Sequence, residues 1–149
     1  MPDAKEFLFE IITPEKKLFS SKANFVVLPG SEGELGVLPN HAALLSPLKC
    51  GVVKIVIIKK ADSPANPDTT TTDYCAVSGG FVEIRNNNVY VLADTAEFAS
   101  AIDKARAQRA LEQAQEKRQK TLDKNEQIIV EAALQRALTR LKVASMPPA

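Results

Sequence analysis

The residues best suited to bind a ligand lie in the last third of the chain, in two charged pairs. Asp103 and Arg106 are three positions apart, and Arg136 and Arg140 are four apart. In a helix, each pair lies on one face. If two such helices pack together, each guanidinium group can bind two phosphate oxygens in a bidentate manner. Asp103 can then accept a hydrogen bond from a base amine or orient Arg106. From spacing alone, a solvated helix surface with internal ion pairs is the better fit, and both interpretations stay open.

Other chemistry is poorly supported. His41 is the single histidine, with no cysteine at metal-ligand spacing, and no serine lies in a G-x-S-x-G elbow. Cys50 and Cys75 lie in strand-like contexts, which favours buried, reduced thiols over a disulfide or a nucleophile. The sequence predicts a protein that is not an enzyme and needs no metal or cofactor. A small thiol-dependent enzyme using Cys75 or His41 is the alternative.

A glycine-rich segment, Gly30 to Gly36, superficially resembles a phosphate-binding loop. It lacks the Gly-Lys-Ser/Thr ending of such loops, and its carboxylates, Glu32 and Glu34, would repel phosphate. We therefore predict a tight, exposed turn between strands, with both carboxylates available to a protein partner.

Composition excludes several partners. The 19 basic residues nearly cancel the 18 acidic ones, and aromatics are only 5% of the 149 residues, so we expect no nucleic-acid partner. The most apolar run, residues 52–58, contains a lysine and is far shorter than the roughly 20 residues that span a bilayer. The polar start resembles no targeting signal. We expect a soluble chain that reaches a membrane only through a partner.

Residues 1–94 form the predicted β domain. Apolar residues alternate with a period of two from Phe7, and residues 24–28 and 52–58 are β-branched and apolar, the latter typical of a buried strand. Residues 81–85 and 89–92 flank three asparagines, which predicts a hairpin. Residues 61–73, with two prolines and a threonine run, are predicted to be a long hairpin loop. Many short strands indicate a sandwich or barrel.

Residues 95–149 form the predicted helical part. Strong helix formers fill residues 102–122, and Ser100 with Asp103 resembles a capping box. After a break near residues 123–125, a second helix spans 127–143, where Leu134, Leu138 and Leu141 form a stripe. The short connection predicts an antiparallel two-helix hairpin.

This hairpin has little apolar surface to bury. Its first helix offers only Ile102, Leu111 and Leu122 as large apolar residues, among many alanines. Since alanine contributes far less than the roughly 1.5–3 kcal/mol of a buried leucine, we expect weak docking and a hairpin that changes position. A free-standing coiled-coil chaperone or adaptor is a further alternative, although neither helix has three clean heptads.

The motifs together resemble those of the epsilon subunit of bacterial and chloroplast F-type ATP synthases. The resemblance runs in order from Phe7 to Val143. Its segments are residues 30–36 followed by Pro-Asn-His-Ala, residues 78–83 and 88–94, the I/L-D-x-x-R-A motif at 102–107, and residues 136–141. The departure is the 61–73 loop, which is several residues longer than the family pattern.

The resemblance implies a fold and a set of partners. A sandwich of about ten strands would pack on the gamma subunit and touch the ring of c subunits. Glu34 matches a position near the c-ring loops, and His41 matches one near gamma. The hairpin would lie beside the sandwich, or extend along gamma into the alpha/beta catalytic hexamer and inhibit ATP hydrolysis. The protein would be peripheral, at the cytoplasmic face of a bacterial inner membrane rather than at a thylakoid.

The resemblance also implies a nucleotide site. In some family members ATP binds the folded-down hairpin and is not hydrolysed. The positions that match this site are Glu97, Asp103, Arg106, Arg136 and Arg140. Where the family pattern has a further arginine late in the first helix, this chain has Gln113, which predicts weaker binding.

Overall fold

The computed structural model describes residues 6–120 and 123–146. In this part of the chain, eight strands precede two helices. The strands are β1 (Phe7–Ile12), β2 (Lys17–Ala23), β3 (Phe25–Gly30), β4 (Gly33–Val37), β5 (Leu44–Lys59), β6 (Thr69–Arg85), β7 (Asn88–Ala93) and β8 (Ala96–Phe98). A 3-10 turn, Ala99–Ala101, leads into α1 (Lys104–Lys120) and α2 (Lys124–Ala144). Below, "the sandwich" means β1–β8 and "the arm" means α1 and α2.

The predicted fold class, a β-sandwich followed by a two-helix hairpin, is confirmed. The strands pair in the order β2-β1-β7-β6-β5-β3-β4, and β8 pairs with β6. The period of two in β1 places Phe7, Phe9 and Ile11 in one continuous core. The described residues form eight strands rather than about ten. The count is lower because β5 and β6, at 16 and 17 residues, are each long enough to take the place of two ordinary strands.

Two glycines interrupt β6 where it changes partners. Before them, residues 75–77 pair with β8, and from Gly80 onward residues 80–85 pair with β7. Gly79 and Gly80 have φ angles of 112° and 129°, which side chains other than glycine rarely allow. A Cβ on Gly80 would lie 2.0 Å from the Leu92 carbonyl oxygen. These glycines therefore let one long strand serve both layers of the sandwich.

The predicted loop at 61–73 is wrong in its second half. β6 begins at Thr69, and residues 69–73 pair with 55–59 of β5. The β-branched threonines extend the ladder, and the prolines are confined to the short connection between the strands. At its base, the Asp68 carboxylate accepts from the Ala61 amide (2.9 Å) and pairs with Lys60 (3.2 Å). These contacts lower the pKa of Asp68, the backbone hydrogen bond most.

The prediction that residues 52–58 form a buried strand holds for one face of that strand. These residues lie in β5, where Val53 and Ile55 are fully buried but Ile58 is 39% exposed. Only one face of an antiparallel strand meets the core here, so β-branching along the whole run does not imply burial on both faces.

The hairpin predicted around the three asparagines is confirmed. Its loop consists of Asn86 and Asn87, with φ angles of 51° and 60°, and Asn88 already belongs to β7. Two left-handed residues give a turn whose twist matches that of the flanking strands, and asparagine tolerates this conformation.

The start of the first helix differs from the capping box that the sequence suggested. Ser100 lies in the 3-10 turn, and Asp103 itself is the cap, since its Oδ1 accepts from the Arg106 amide at 3.1 Å. The second helix begins three residues earlier than predicted, at Lys124. Asp123 caps it by accepting from the Asn125 amide.

The two helices of the arm pack through small side chains. Their shared core consists of Leu111, Ala114, Leu134 and Ala137. Leu138 of the predicted leucine stripe is 42% exposed, because the contact face turns toward the alanines instead. Ile102 is half-buried outside this core, and Leu122 lies outside the described residues.

Candidate functional site: a cavity between sandwich and arm

A cavity of about 280 Å³ lies where the sandwich, the 3-10 turn and both helices meet. This size is near the lower end of ligand pockets. Glu97 reaches it from β8, Asp103 and Arg106 from the start of α1, and Arg140 from α2. The remaining lining residues are small or apolar: Ala101, Ile102, Ala107 and Ala110. Of the five predicted nucleotide-site residues, the structure thus brings four to one cavity.

The first turn of α1 presents one carboxylate and one guanidinium to this cavity. The Asp103 carboxylate caps the helix through the Arg106 amide, which fixes where α1 begins. The Arg106 side chain is exposed, and none of the ion pairs within residues 6–120 and 123–146 involves it. Its guanidinium is therefore available to an anionic ligand.

An ion pair crosses from the sandwich to the arm at the cavity wall. The Nε of Arg140 donates to Oε1 of Glu97 at 2.7 Å, and both side chains are about one-third exposed, at 30% and 33%. Partial exposure keeps such a pair modest in strength, about 1 kcal/mol or less. Because a guanidinium has five N–H donors, Arg140 can hold Glu97 and still donate to a ligand.

The cavity carries charges of both signs, which can orient a ligand that has phosphate groups at one end and hydrogen-bond donors at the other. Two guanidinium groups, Arg106 and Arg140, face two carboxylates, Glu97 and Asp103. Charge-assisted bonds to phosphate oxygens can come from the arginines, and the carboxylates can accept from amine or hydroxyl groups. The wall of Ile102 and alanines is apolar.

Arg136, the fifth predicted residue, lies one helical turn away in an adjoining narrow cleft. This cleft also contacts Glu97 and Arg140, and it separates α2 from β5 and β6. Here the buried Thr139 places its hydroxyl 3.5 Å from the Sγ of Cys50. A polar contact therefore joins α2 to β5 at this cleft.

The predicted partner residues lie at different ends of β4. Glu32 and Glu34 are exposed at the β3–β4 turn, as expected for carboxylates offered to a partner. His41 lies in the connection beyond the other end, half-buried, with Nδ1 2.7 Å from the Ala42 carbonyl oxygen. The structure does not bring these residues into one site.

An apolar row, unmarked in the sequence, crosses the outer face of the sandwich. Ile12 pairs with Leu92, Leu92 with Phe81, and Phe81 with Pro47, so these four side chains lie side by side on β1, β7, β6 and β5. We call them the apolar stripe. Phe81 is 52% and Leu92 47% exposed. A groove of about 360 Å³ runs beside the stripe, between it and Pro14. Contiguous exposed apolar surface is a common feature of protein–protein interaction sites.

Sequence reasoning missed the apolar stripe and Thr139. The stripe depends on register across four strands, which the spacing within any one strand does not reveal. Thr139 looks like an ordinary polar helix residue, and only the docking of α2 onto β5 buries it. One alanine of the cavity lining did carry a signal, since Ala110 follows Arg106 by four positions, the spacing that places two residues on one helix face.

The two thiols should differ sharply in reactivity. Burial raises the pKa of Cys75 to about 12, so this thiol stays protonated at neutral pH and is a poor nucleophile. Cys50 is only half-buried. We expect a thiol reagent to label one cysteine per chain in the native protein and two after denaturation. The native labelling should disappear in Cys50→Ser. Labelling of Cys75 in the native protein would instead favour the thiol-enzyme alternative.

Comparison with known proteins matches both parts of the chain. Residues 6–99 match the family model of the ATP synthase delta/epsilon chain β-sandwich domain, and residues 100–145 match that of the long alpha-helix domain of the same chain. The fold defines the class, a β-sandwich subunit that carries a two-helix arm. The chain belongs to the ATP synthase delta/epsilon chain family.

Individual relatives agree over nearly the whole length. The chain is 42% identical over 144 residues to the ATP synthase epsilon chain of Desulforamulus reducens, covering 95% of this chain and 98% of the relative. It is 46% identical over 135 residues to that of Pelotomaculum thermopropionicum, covering 91% and 92%. A chain of the Euglena gracilis mitochondrial ATP synthase has the same fold, with a TM-score of 0.75 at 21% identity, covering 98% and 85%. Among the described residues, no helix is long and apolar enough to cross a membrane.

Proposed function

We propose that this chain is the non-catalytic subunit that joins gamma to the c ring in the central stalk, and that its arm restrains ATP hydrolysis when it leaves the sandwich. The subunit is peripheral and is held at the cytoplasmic face of a bacterial inner membrane by the complex. Family membership supports a place in the ATP synthase. The contacts of the sandwich and of the arm support the division of labour between them.

The apolar stripe is the surface that docks on gamma. Aromatic residues in the centre of an interface contribute most of its binding energy, and Phe81 lies in the middle of the stripe. The groove beside it can receive an apolar side chain of the partner. His41 lies at the end of β4 remote from Glu34, in a connection whose neighbours Leu38 and Leu45 are 60% and 69% exposed, and it extends the same interface.

The acidic turn between β3 and β4 faces the c ring. Glu32 and Glu34 are exposed and belong to none of the ion pairs among the described residues. Polar loops of a membrane ring can donate to such carboxylates. Exposed charges of this kind affect the rate and register of association more than its strength.

The weak seam between arm and sandwich is the observation that carries the regulatory proposal. Among the residues that the structure describes, two polar contacts span it, Cys50 with Thr139 and Glu97 with Arg140. On α2, Ile128 and Ile129 are 69% and 68% exposed in the docked arm. Burying these isoleucines against gamma or the catalytic hexamer would offset the free energy lost when the contacts between arm and sandwich break. The two positions of the arm can therefore lie within a few kcal/mol of each other.

Nucleotide in the cavity would favour the docked arm. The cavity exists only while β8, α1 and α2 are together, so ATP bound there stabilises that arrangement by RT ln(1 + [L]/Kd). At millimolar ATP, a site with a millimolar to micromolar Kd would shift the arm by about 0.4–4 kcal/mol. ATP acts here as a regulatory ligand that is bound and not hydrolysed.

Replacing Arg106 by alanine tests the nucleotide site. We expect calorimetry on the isolated chain to show ATP affinity that falls about tenfold or more in Arg106→Ala, because a charge-assisted bond to phosphate is lost. Arg109→Ala is the matched control, since Arg109 is exposed on the same helix and does not line the cavity. Absence of heat with millimolar ATP would refute the nucleotide site and leave the rotor assignment standing.

A further inference from the structure

Three separate segments meet at the end of the sandwich that carries His41. They are the start of β1, the connection between β4 and β5, and the two-residue turn between β6 and β7. The side chain of Asn87, in that turn, touches the other two. Its Oδ1 accepts from the Asn40 amide at 2.7 Å, and its Nδ2 donates to the Glu6 carbonyl oxygen at 3.0 Å.

The connection held by Asn87 has little support of its own. Asn40 bends it with a φ of 62°, a left-handed conformation that asparagine tolerates better than most residues. The neighbouring side chains supply little packing, since Leu38 is 60% exposed and His41 only half-buried. The hydrogen bond from Asn40 to Asn87 fixes the amide at the bend of the connection, so the side chain of a remote turn sets its shape.

We propose that Asn87 is a positioning residue for gamma binding, because it holds residues 38–43 in the shape that presents Leu38 and His41 to that partner. The proposal rests on the proposed function, in which this connection extends the apolar stripe. Residues 35–48 contain no charged side chain, so this segment fits an uncharged, apolar partner face, and the Glu83–Arg85 ion pair beside Leu45 lies at its edge. Residues in a mobile loop pay an ordering cost on binding, and a loop that is already ordered avoids it.

Asn86 provides a matched control within the same turn. It has the same left-handed backbone, with a φ of 51°, but its side chain makes none of the hydrogen bonds found among the described residues. Glycine accepts a positive φ, so Asn87→Gly and Asn86→Gly both preserve the turn. Asn87→Asp keeps the acceptor for the Asn40 amide and removes the donor to Glu6, which separates the two contacts.

The test combines two measurements on the full-length chain. Amide hydrogen exchange of the free chain should show faster exchange at Asn40 in Asn87→Gly, with Asn86→Gly and Asn87→Asp close to wild type. Binding to a gamma-containing catalytic core should weaken about fivefold in Asn87→Gly, with no loss in Asn86→Gly.

The outcomes separate this proposal from the one it rests on. Unchanged exchange at Asn40 in Asn87→Gly would overturn the positioning role, whatever the binding result. Faster exchange with unchanged binding would also overturn it, since the connection would then be irrelevant to the partner. If the wild-type chain itself failed to bind the gamma-containing core, gamma docking would fail, while the exchange data would still report the contact with Asn40.

Discussion

Locking the arm onto the sandwich by a disulfide should release ATP hydrolysis in the assembled complex. The native Cys50 Sγ lies 3.5 Å from the Thr139 hydroxyl, so Thr139→Cys places a second thiol at the seam between β5 and α2. Only a small shift then brings the two sulfurs to bonding distance. Oxidation should close the bond and prevent the arm from extending, and a reductant should reverse the effect.

The expected effect of this lock is large. A preference of about 1.4 kcal/mol for the extended arm would keep roughly nine complexes in ten restrained, so the oxidised variant should hydrolyse ATP about tenfold faster. The control is Thr139→Cys combined with Cys50→Ser, which retains one seam thiol and cannot form the bond. A fully crosslinked complex that hydrolyses ATP at the rate of the reduced one would contradict arm-mediated restraint.

Replacing Phe81 by aspartate should abolish stable binding to gamma. Phe81 lies at the centre of the apolar stripe, between Leu92 and Pro47, and its side chain is half exposed, so the sandwich can fold without it. Loss of a central aromatic side chain, and burial of a charge in its place, typically costs about 2–4 kcal/mol or more. That corresponds to about a 30- to 1,000-fold weaker affinity.

The measurement is affinity for a gamma-containing core, by surface plasmon resonance, together with thermal unfolding of each variant. Ile58→Asp is the matched control, because Ile58 is an exposed apolar strand residue at the end of β5 outside the stripe. If Phe81→Asp bound gamma with wild-type affinity while both variants were folded, the surface of this chain that binds gamma would have to lie outside the apolar stripe. Equal loss in both variants would point to a general effect of added charge.

Features that depend on neighbouring residues were predictable from the sequence. The alternation at Phe7, Phe9 and Ile11 sets which face of β1 is buried, and the asparagine turn sets the β6–β7 hairpin. The helices follow from intrinsic propensity. The threonine run at 69–72 misled, because two nearby prolines suggested a long loop, although β-branched residues favour continuing the ladder.

Features that depend on tertiary packing were not predictable from spacing. β8 is three residues long, too short for a period to be read, yet it places Glu97 beside Arg140. Glu97 entered only through the family resemblance. The short spacing of Asp103 and Arg106 suggested two side chains acting together, but the Asp103 carboxylate accepts instead from the Arg106 backbone amide. The apolar stripe depends on four strands in register.

The central claim is that the weakly held arm has two positions. The distribution of distances between a spin label on the sandwich and one on the arm tests it most directly. Spin labels at Arg85 on the sandwich and Gln113 on α1, both exposed, would be placed in a Cys50→Ser background, since Cys75 should not react. In the assembled complex, we predict two distance populations, with the docked one increasing at millimolar ATP. A single docked population, unchanged by nucleotide, would contradict the account.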